Sequence, residues 1–187
     1  MNIIFTGVGG QGVILSGKIL MGAAQNAGYD IKESEVHGMA QRGGTVDCCV
    51  RYAKKLYSPL IELGTADYIV SFELIEIMRK LDYLAPDGRL IVNDLKIDPA
   101  PVQTGEMKYP NDISEWLRAN IKNSQVIDTE GALKDLGSRK SLNIVMLGAL
   151  SKHLEFSNEQ WKDAITEQIK PQLLEMNLKA FALGQTL

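Results

Sequence analysis

Two glycine-rich segments carry the residues of this sequence that could perform chemistry. The first reads Gly-Val-Gly-Gly-Gln-Gly over positions 7–12, and the second reads Glu-Val-His-Gly-Met-Ala-Gln-Arg-Gly-Gly over positions 35–44. Glycines let a backbone approach a ligand closely, and a helix that begins at such a turn offers unpaired N–H groups to an anion. The second segment adds a carboxylate, an imidazole, an amide and a guanidinium. Both segments are therefore candidate binding loops.

The first segment matches the spacing of a dinucleotide-binding loop. Gly7, Gly9 and Gly12 form a Gly-x-Gly-x-x-Gly pattern. The pattern lies between a predicted strand, Asn2–Thr6, and a predicted helix, Val13–Ala27, which is the context that this fingerprint requires. The Gly-Lys-Ser/Thr ending of a Walker A loop is absent. The candidate cofactor-binding residues here are Gly7, Gly9, Gly10, Gln11 and Gly12.

Two interpretations of this loop stay open. A nucleotide-binding domain needs an acidic residue near the end of its second strand to accept a ribose hydroxyl, and Glu33 and Glu35 lie at about that place. A tight strand-to-helix turn also favours glycine for purely structural reasons. Phosphate or nucleotide binding and a structural or inter-subunit role are both retained.

The second segment is predicted to be a loop at the same edge of the sheet. It follows a predicted strand, Ile31–Val36, and ligand crevices of doubly wound sheets lie at the carboxyl ends of the strands. The guanidinium of Arg42 suits a phosphate or carboxylate, Glu35 would orient it, and Gln41 would add a neutral hydrogen bond. His37 is a candidate proton-transfer residue, because an ordinary imidazole titrates at about pH 6.5. The competing interpretation is a solvated loop in which Arg42 pairs with Glu35.

Strand-like runs that are separated by helical periodicities predict an α/β fold. The expected architecture is a single doubly wound, mostly parallel sheet with helices on both faces and a helical C-terminal end. No linker divides the chain, so residues 1–187 are predicted to form one domain. Further strands are predicted at Val46–Tyr52, Leu56–Ile61, Asp67–Phe72, Arg89–Asn93 and Gln125–Asp128, with a turn at Pro86–Gly88. Further helices are predicted at Glu73–Leu84, up to Ile121, from Glu130, at Ser141–Leu154, from Ser157 to Ile169, and from Pro171 to Leu183.

Composition excludes several function classes. The 187 residues have a formal net charge of −3 and no block of like charges. Neither nucleic acid nor an anionic membrane surface is therefore an expected partner. No apolar run reaches the roughly 18 residues of a membrane span, and the sequence does not begin with the basic segment of a secretory signal. We therefore expect a cytoplasmic protein.

The cysteines bear on redox chemistry. The sequence holds two, Cys48 and Cys49, and neighbouring side chains on a strand point to opposite faces. They are therefore not expected to bond each other or to share a metal ion. An iron–sulfur cluster needs about four thiolates, so this chain alone is expected to hold no cluster and no other metal.

The two glycine segments together resemble the gamma-type domain of the 2-oxoacid:ferredoxin oxidoreductase family. The opening Gly-Val-Gly-Gly-Gln-Gly, the Glu35–Gly44 segment and the later Ala66-Asp67 strand carry the likeness. The His-Gly-Met-Ala-Gln-Arg-Gly-Gly form is most similar to the indolepyruvate type. The stretches Ser58–Ile61 and Asn177–Phe181 look similar as well, so the resemblance spans nearly the whole chain.

The resemblance implies chemistry that is shared between subunits. Enzymes of this family decarboxylate a 2-oxoacid on thiamine diphosphate, pass electrons through iron–sulfur clusters to ferredoxin, and release an acyl-CoA. In the indolepyruvate type the substrate is an aryl pyruvate, and thiamine diphosphate, Mg²⁺ and the clusters belong to a larger alpha subunit. This chain is then expected to be a non-redox subunit, inactive alone, that completes the active site and shapes the entrance for CoA or substrate.

Other functions remain open on the sequence alone. Gamma subunits of pyruvate or other 2-oxoacid enzymes are the nearest alternatives, and the glycine fingerprint also fits a stand-alone nucleotide-binding domain. A third possibility is a structural interaction module whose loops are dry subunit contacts. It is favoured by a face of mostly small residues on the first helix, formed by Gly12, Ser16, Ile19, Ala23 and Ala27.

Overall fold

The computed structural model describes residues 1–38, 44–136 and 139–187, which form six strands and eight α-helices. The strands are β1 Asn2–Val8, β2 Asp30–His37, β3 Thr45–Ala53, β4 Ala66–Ser71, β5 Leu84–Asn93 and β6 Ser124–Ile127. The helices are α1 Val13–Asn26, α2 Leu74–Met78, α3 Ala100–Gln103, α4 Ile113–Asn120, α5 Thr129–Asp135, α6 Leu142–Ser151, α7 Asn158–Gln168 and α8 Pro171–Thr186. Single 3-10 turns lie at Leu81–Tyr83 and Arg139–Ser141.

The strands form one sheet in the order β2-β3-β1-β4-β5-β6. Strands β1, β4, β5 and β6 pair in parallel, whereas β3 runs antiparallel to both of its neighbours. The reversal has a simple cause, because the connection of residues 38–44 is too short for the crossover of about a dozen residues that a parallel pair needs. The prediction of a mostly parallel α/β sheet is confirmed.

Each face of the sheet packs against its own set of helices. On one face α1, α6, α7 and α8 cover a core that includes Phe5 and Trp161. On the other face α2 and α4 cover a second core that includes Ile4 and Leu117. Adjacent residues of β1 therefore enter different cores, as the alternation of side chains along a strand requires. Helices lie on both faces, as expected.

Helix α6 lies in the centre of the first core. All ten of its residues are buried, which agrees with its nearly uniform apolar sequence. It crosses α8 where Gly148 faces Gly184, and a Cβ atom on either glycine would collide with a backbone carbonyl of the other helix, that of Phe181 or of Val145. The two helices can approach this closely only because both positions are glycine.

Local end signals place several helix boundaries as predicted. Gly28 has a φ of 82° directly after α1, a conformation that favours glycine at a helix end. The Ser157 hydroxyl accepts the N–H of Gln160 at 3.2 Å, and the Gln160 carbonyl accepts the N–H of Ser157 at 2.8 Å. This reciprocal pair is the capping box that starts α7. Pro171 occupies the first turn of α8.

The predicted strand at Leu56–Ile61 was wrong. The segment is an irregular loop, and the guanidinium of Arg51 donates to the carbonyls of Ser58 and Leu60 at 2.9 and 2.8 Å. A side chain on β3 thus satisfies the carbonyls that a neighbouring strand would have bound.

The predicted helix at Glu73–Leu84 is shorter than expected. Helix α2 ends at Met78, a 3-10 turn follows, and Leu84 already belongs to β5. The predicted turn at Pro86–Gly88 falls inside the bounds of β5, where the register with β4 shifts. Proline cannot donate to a sheet, so the turn signal becomes an irregularity in the strand.

None of the helices in the described part of the chain is both long and apolar enough to cross a membrane.

Candidate functional site

The first glycine loop connects the end of β1 to the start of α1. Gly10 and Gly12 have positive φ values of 101° and 81°, a region that other L-residues enter only at a cost. Gly12 is the N-cap of α1, and the helix has neither a side-chain cap nor an acidic residue in its first turn. Its first backbone N–H groups are therefore available to an anion.

Gln11 braces this loop from within. Its side-chain carbonyl accepts the N–H of Val8 at 2.7 Å, and its amide nitrogen donates to the carbonyl of Phe72 at 2.9 Å. A Cβ atom at Gly7 would lie 2.8 Å from that side-chain carbonyl, so the glycine leaves room for the brace. Gln11 thus ties the end of β1 to the end of β4, a structural contact that the sequence analysis did not predict.

Asn143 is a second residue of this region that the sequence analysis missed. It lies in the first turn of α6 and is 3% exposed. A Cβ atom at Gly12 would lie 2.7 Å from its Cγ atom, and the Ser16 hydroxyl lies 3.3 Å from the Gly12 carbonyl and 3.5 Å from the Asn143 carbonyl. The beginnings of α1 and α6 therefore pack directly against each other. No local pattern signals a contact between residues so far apart in sequence.

The two glycine-rich segments meet, as predicted. The N–H of Gly9 in the first segment donates to the carbonyl of Gly44 in the second at 2.9 Å. At the base of the second segment the N–H of Gly38 donates to the carbonyl of Thr45 at 2.8 Å. A cleft of about 370 Å³ opens beside this junction, and His37 lines it together with the glycine loop. The full lining is Val8, Gly9, Gly10, Gly12, Val13, Ile14, Leu15, His37 and Val46.

His37, in the lining of this cleft, stands beside a carboxylate. Its Nε2 atom lies 3.6 Å from a carboxylate oxygen of Glu35, and the side chains are 56% and 29% exposed. Glu35 was predicted to orient Arg42; among the described residues it contacts His37. Gln41 and Arg42 lie outside the described residues.

Glu33 points to the same face of β2 as Glu35 but is engaged differently. Its carboxylate accepts the Cys48 thiol at 3.3 Å. Burial raises the pKa of Glu33, and the neighbouring Glu35 raises it further, although the Cys48 bond acts in the opposite direction. Burial also raises the pKa of the Cys48 thiol, and the hydrogen bond to Glu33 raises it further. Cys48 is therefore not an activated nucleophile, since that role needs a lowered thiol pKa.

The cysteines adopt the arrangement that strand geometry predicted. Cys48 belongs to the core beneath α1, whereas Cys49 packs against the core on the other face, and both are free thiols. In the described ranges, no group of three or more histidine, cysteine, aspartate or glutamate side chains is arranged to hold a metal ion. The sequence contains no other cysteine, so it supplies two of the roughly four thiolates that an iron–sulfur cluster needs.

Two buried acidic residues brace the ends of β1 and β4 from the second face. Asp47 accepts the Thr6 hydroxyl at 2.7 Å and pairs with the Lys80 ammonium at 2.5 Å. Glu73 is fully buried, and its carboxylate accepts three hydrogen bonds. The donors are the N–H of Ile75 at 2.6 Å, the N–H of Ile97 at 3.0 Å and the hydroxyl of Tyr109 at 2.5 Å. These carboxylates have their partners inside the protein, so we assign them to the support of the loops.

The strand order bears on nucleotide binding. In a dinucleotide-binding domain the strand that carries the ribose-binding acid lies next to the first strand. Here β3 separates β2 from β1, which places Glu33 and Glu35 roughly 5 Å further to the side than in such a domain, at about 4.8 Å per strand. The glycine loop has the right local shape for a phosphate, but the acidic partners stand one strand too far away.

Comparison with known proteins identifies the family. The family model for pyruvate ferredoxin/flavodoxin oxidoreductase matches residues 2–187. Indolepyruvate oxidoreductase subunit IorB of Thermococcus kodakarensis is 36% identical, with 98% of this chain and 93% of that protein covered. The IorB subunit of Archaeoglobus fulgidus is 35% identical over the same shares. The 2-oxoglutarate synthase subunit KorC of Methanothermobacter thermautotrophicus is 29% identical, with 100% of this chain and 94% of that protein covered.

Solved structures agree with these matches. The gamma subunit of a keto/oxoacid ferredoxin oxidoreductase from Geobacter sulfurreducens superposes with a TM-score of 0.70 at 25% identity, covering 98% of this chain and 95% of that one. The 2-oxoglutarate:ferredoxin oxidoreductase of Magnetococcus marinus has the same fold, with a TM-score of 0.76 at 22% identity. The match spans 100% of this chain but 30% of that one. From the family match and the identity to its curated relatives, the chain belongs to the pyruvate ferredoxin/flavodoxin oxidoreductase family.

Proposed function

We propose that this chain is the small, non-redox subunit of an indolepyruvate-type 2-oxoacid:ferredoxin oxidoreductase. The complete enzyme would convert an aryl pyruvate, CoA and oxidised ferredoxin to an aryl-acetyl-CoA, CO2 and reduced ferredoxin. The higher identity to the IorB subunits, 36% against 29% for KorC, supports the indolepyruvate type. The observation that carries the proposal is the junction of the two glycine-rich segments at one cleft, closed by the bond from Gly9 to Gly44.

The cleft suits an anionic group of the substrate or of CoA. The uncapped start of α1 supplies backbone N–H donors from the glycine loop side. His37 supplies an imidazole at the lining of the same cleft, with its Nε2 atom 3.6 Å from a carboxylate oxygen of Glu35. Arg42 and Gln41 follow a few residues along the chain and would complete the site as a charged and a neutral donor.

The redox cofactors belong to a partner in this proposal. Two cysteines on opposite faces of β3 do not fit an iron–sulfur cluster, so electrons must travel through another subunit. A large alpha subunit would hold thiamine diphosphate, Mg²⁺ and the clusters and would deliver electrons to ferredoxin. This chain would complete the active site and border the CoA entrance.

Reconstitution with the large subunit tests the proposal. We expect ferredoxin reduction that requires CoA and is faster with indolepyruvate than with pyruvate or 2-oxoglutarate. A preference for pyruvate or 2-oxoglutarate would show that the chain serves another branch of the family. No activity with any 2-oxoacid would reject the proposed function.

Substitution of one arginine tests the assignment of the cleft. Arg42→Ala should lower CoA-dependent turnover of the complex while the chain keeps its circular dichroism spectrum. The matched control is Arg118→Ala, an exposed arginine that pairs with Asp94 at 3.6 Å, far along the sheet edge. Equal kinetics of the two variants would remove the role that is assigned to Arg42.

A stand-alone nucleotide-binding domain is the second candidate, because the glycine fingerprint is present. Calorimetry of the chain with NAD, FAD and CoA separates the two. We expect no saturable NAD binding, since the acidic partners are displaced by one strand. Clear NAD binding would favour the second candidate.

A further inference from the structure

A second cavity lies at the same edge of the sheet as the glycine loop but in a different place. It is formed where β5 and β6 end and where α5 and α6 begin, and its volume is about 330 Å³. Its walls are the apolar side chains of Leu95, Ile97, Leu133 and Leu142. It shares no lining residue with the cleft beside the glycine loop.

The size of this cavity fits a planar ring system. An apolar cavity of roughly 150 Å³ is enough to bind benzene, and this cavity is about 330 Å³. Leucine and isoleucine walls favour an apolar ring, since each buried apolar surface adds to affinity. The location also agrees with the general rule that ligands of α/β sheets bind beyond the carboxyl ends of the strands.

Most polar groups at the cavity already have partners in the protein. The Asn93 amide donates to the carbonyl of Phe72 at 3.2 Å and its carbonyl accepts the Thr129 hydroxyl at 2.7 Å. The carboxylate of Asp94 accepts the Ser114 hydroxyl at 2.6 Å and pairs with Arg118 at 3.6 Å. Glu130 pairs with Lys134 at 3.5 Å.

Asp128 differs from the other two carboxylates of the rim. One of its oxygens accepts the N–H of Glu130 at 2.9 Å and so caps α5. In the described parts of the chain no cationic group forms an ion pair with it. Its exposed carboxylate thus remains a negatively charged acceptor at the mouth of an apolar cavity.

We propose that this cavity binds a small molecule in which a planar apolar ring carries an amine or another hydrogen-bond donor. The ring would lie between Leu133 and Leu142, and the donor would reach the carboxylate of Asp128. The carboxylate of Asp128 disfavours an anionic ligand by charge repulsion, because the other two carboxylates of the rim pair with Arg118 and Lys134. The proposal is independent of the oxidoreductase assignment, because it uses none of the residues of the glycine-loop cleft.

Three probes with one ring and different charges test the chemistry. Calorimetry or NMR titration of the full chain would compare tryptamine, indole and indole-3-acetate at equal ionic strength. We expect tryptamine to bind about 1.5- to fivefold more tightly than indole, the range of an exposed charge pair. Indole-3-acetate should bind least. Equal affinity for the cationic and anionic probes, or no binding of tryptamine at millimolar concentration, would overturn the proposal.

Two variants locate the binding. Asp128→Asn keeps a good N-cap for α5 but removes the charge, so tryptamine should lose its advantage over indole. Leu133→Phe should weaken all three probes because it fills the cavity, whereas the exposed Leu60→Phe should change none of them. Unchanged tryptamine binding in Asp128→Asn would refute the site even if Leu133→Phe fails to fold.

Discussion

Replacing Gly12 by alanine should destabilise the protein more than the same change at Gly10. Both glycines have positive φ values, 81° and 101°, so either alanine carries backbone strain of about 1–3 kcal/mol. The surroundings of the two positions differ. A Cβ atom at Gly12 would lie 2.7 Å from Cγ of Asn143, whereas a Cβ atom at Gly10 would have no neighbour within 4 Å.

The difference between the two variants measures the contact between α1 and α6. Asn143 is 3% exposed and lies in the first turn of a fully buried helix, so it has little room to move. Forcing a methyl group into a packed site costs about 1–3 kcal/mol. Gly12→Ala should therefore lower the free energy of unfolding by about 1–3 kcal/mol more than Gly10→Ala does.

Urea unfolding followed by circular dichroism would measure both variants against the unmodified chain. The double variant Gly12→Ala with Asn143→Ala adds a control, since the shorter side chain removes the Cγ atom and part of the collision. We expect the two substitutions to be less than additive in cost. If Gly10→Ala and Gly12→Ala destabilise equally, the close approach of the two helices has been assigned too much importance.

Four further substitutions test the supports of the site and the packing of the core. Gln11→Ala should lower the free energy of unfolding in urea by about 1–3 kcal/mol, because it leaves the Val8 N–H without its acceptor. An unchanged free energy of unfolding would reject the structural role of Gln11. Gly148→Ala should destabilise by about 1–3 kcal/mol through collision with α8. Gly131 lies in α5, where an added Cβ atom would have no neighbour within 4 Å, so Gly131→Ala should stabilise the chain by up to about 1 kcal/mol in the same assay. If Gly148→Ala and Gly131→Ala changed the free energy of unfolding in the same direction, this explanation would be contradicted. Burial raises the pKa of Glu76, so its contribution to stability is lost as pH rises through that pKa. Glu76→Gln should therefore be more stable than the unmodified chain at about pH 8 but not at about pH 4. Glu106→Gln, at an exposed position, is the control. A gain in stability that is independent of pH would reject the raised pKa of Glu76 as its cause.

Local signals in the sequence were sufficient for much of the fold. The capping box at Ser157, the proline at position 171 and the nearly uniformly apolar Leu142–Leu150 run are local signals that involve only neighbouring residues. The structure has helix boundaries at the first two and a buried helix at the third. The alternation of side chains along β3 likewise predicted the opposite orientations of Cys48 and Cys49.

Features that depend on distant contacts could not be predicted in the same way. The insertion of β3 between β2 and β1 depends on which strands pair, and the apolar pattern of a strand does not name its neighbour. Asn143 contacts the glycine loop across 131 residues of sequence. Glu73 looks like an ordinary acidic residue before a helix, and only the folded chain brings Ile97 and Tyr109 to it.

The proposed dependence of this chain on a large redox partner is tested most directly by assaying ferredoxin reduction with each component alone and with both together. The reaction should require indolepyruvate and CoA, and it should proceed only when this chain and the large subunit are combined. The chain purified alone should be colourless and inactive. Ferredoxin reduction by this chain alone, or full activity of the large subunit without it, would contradict the account.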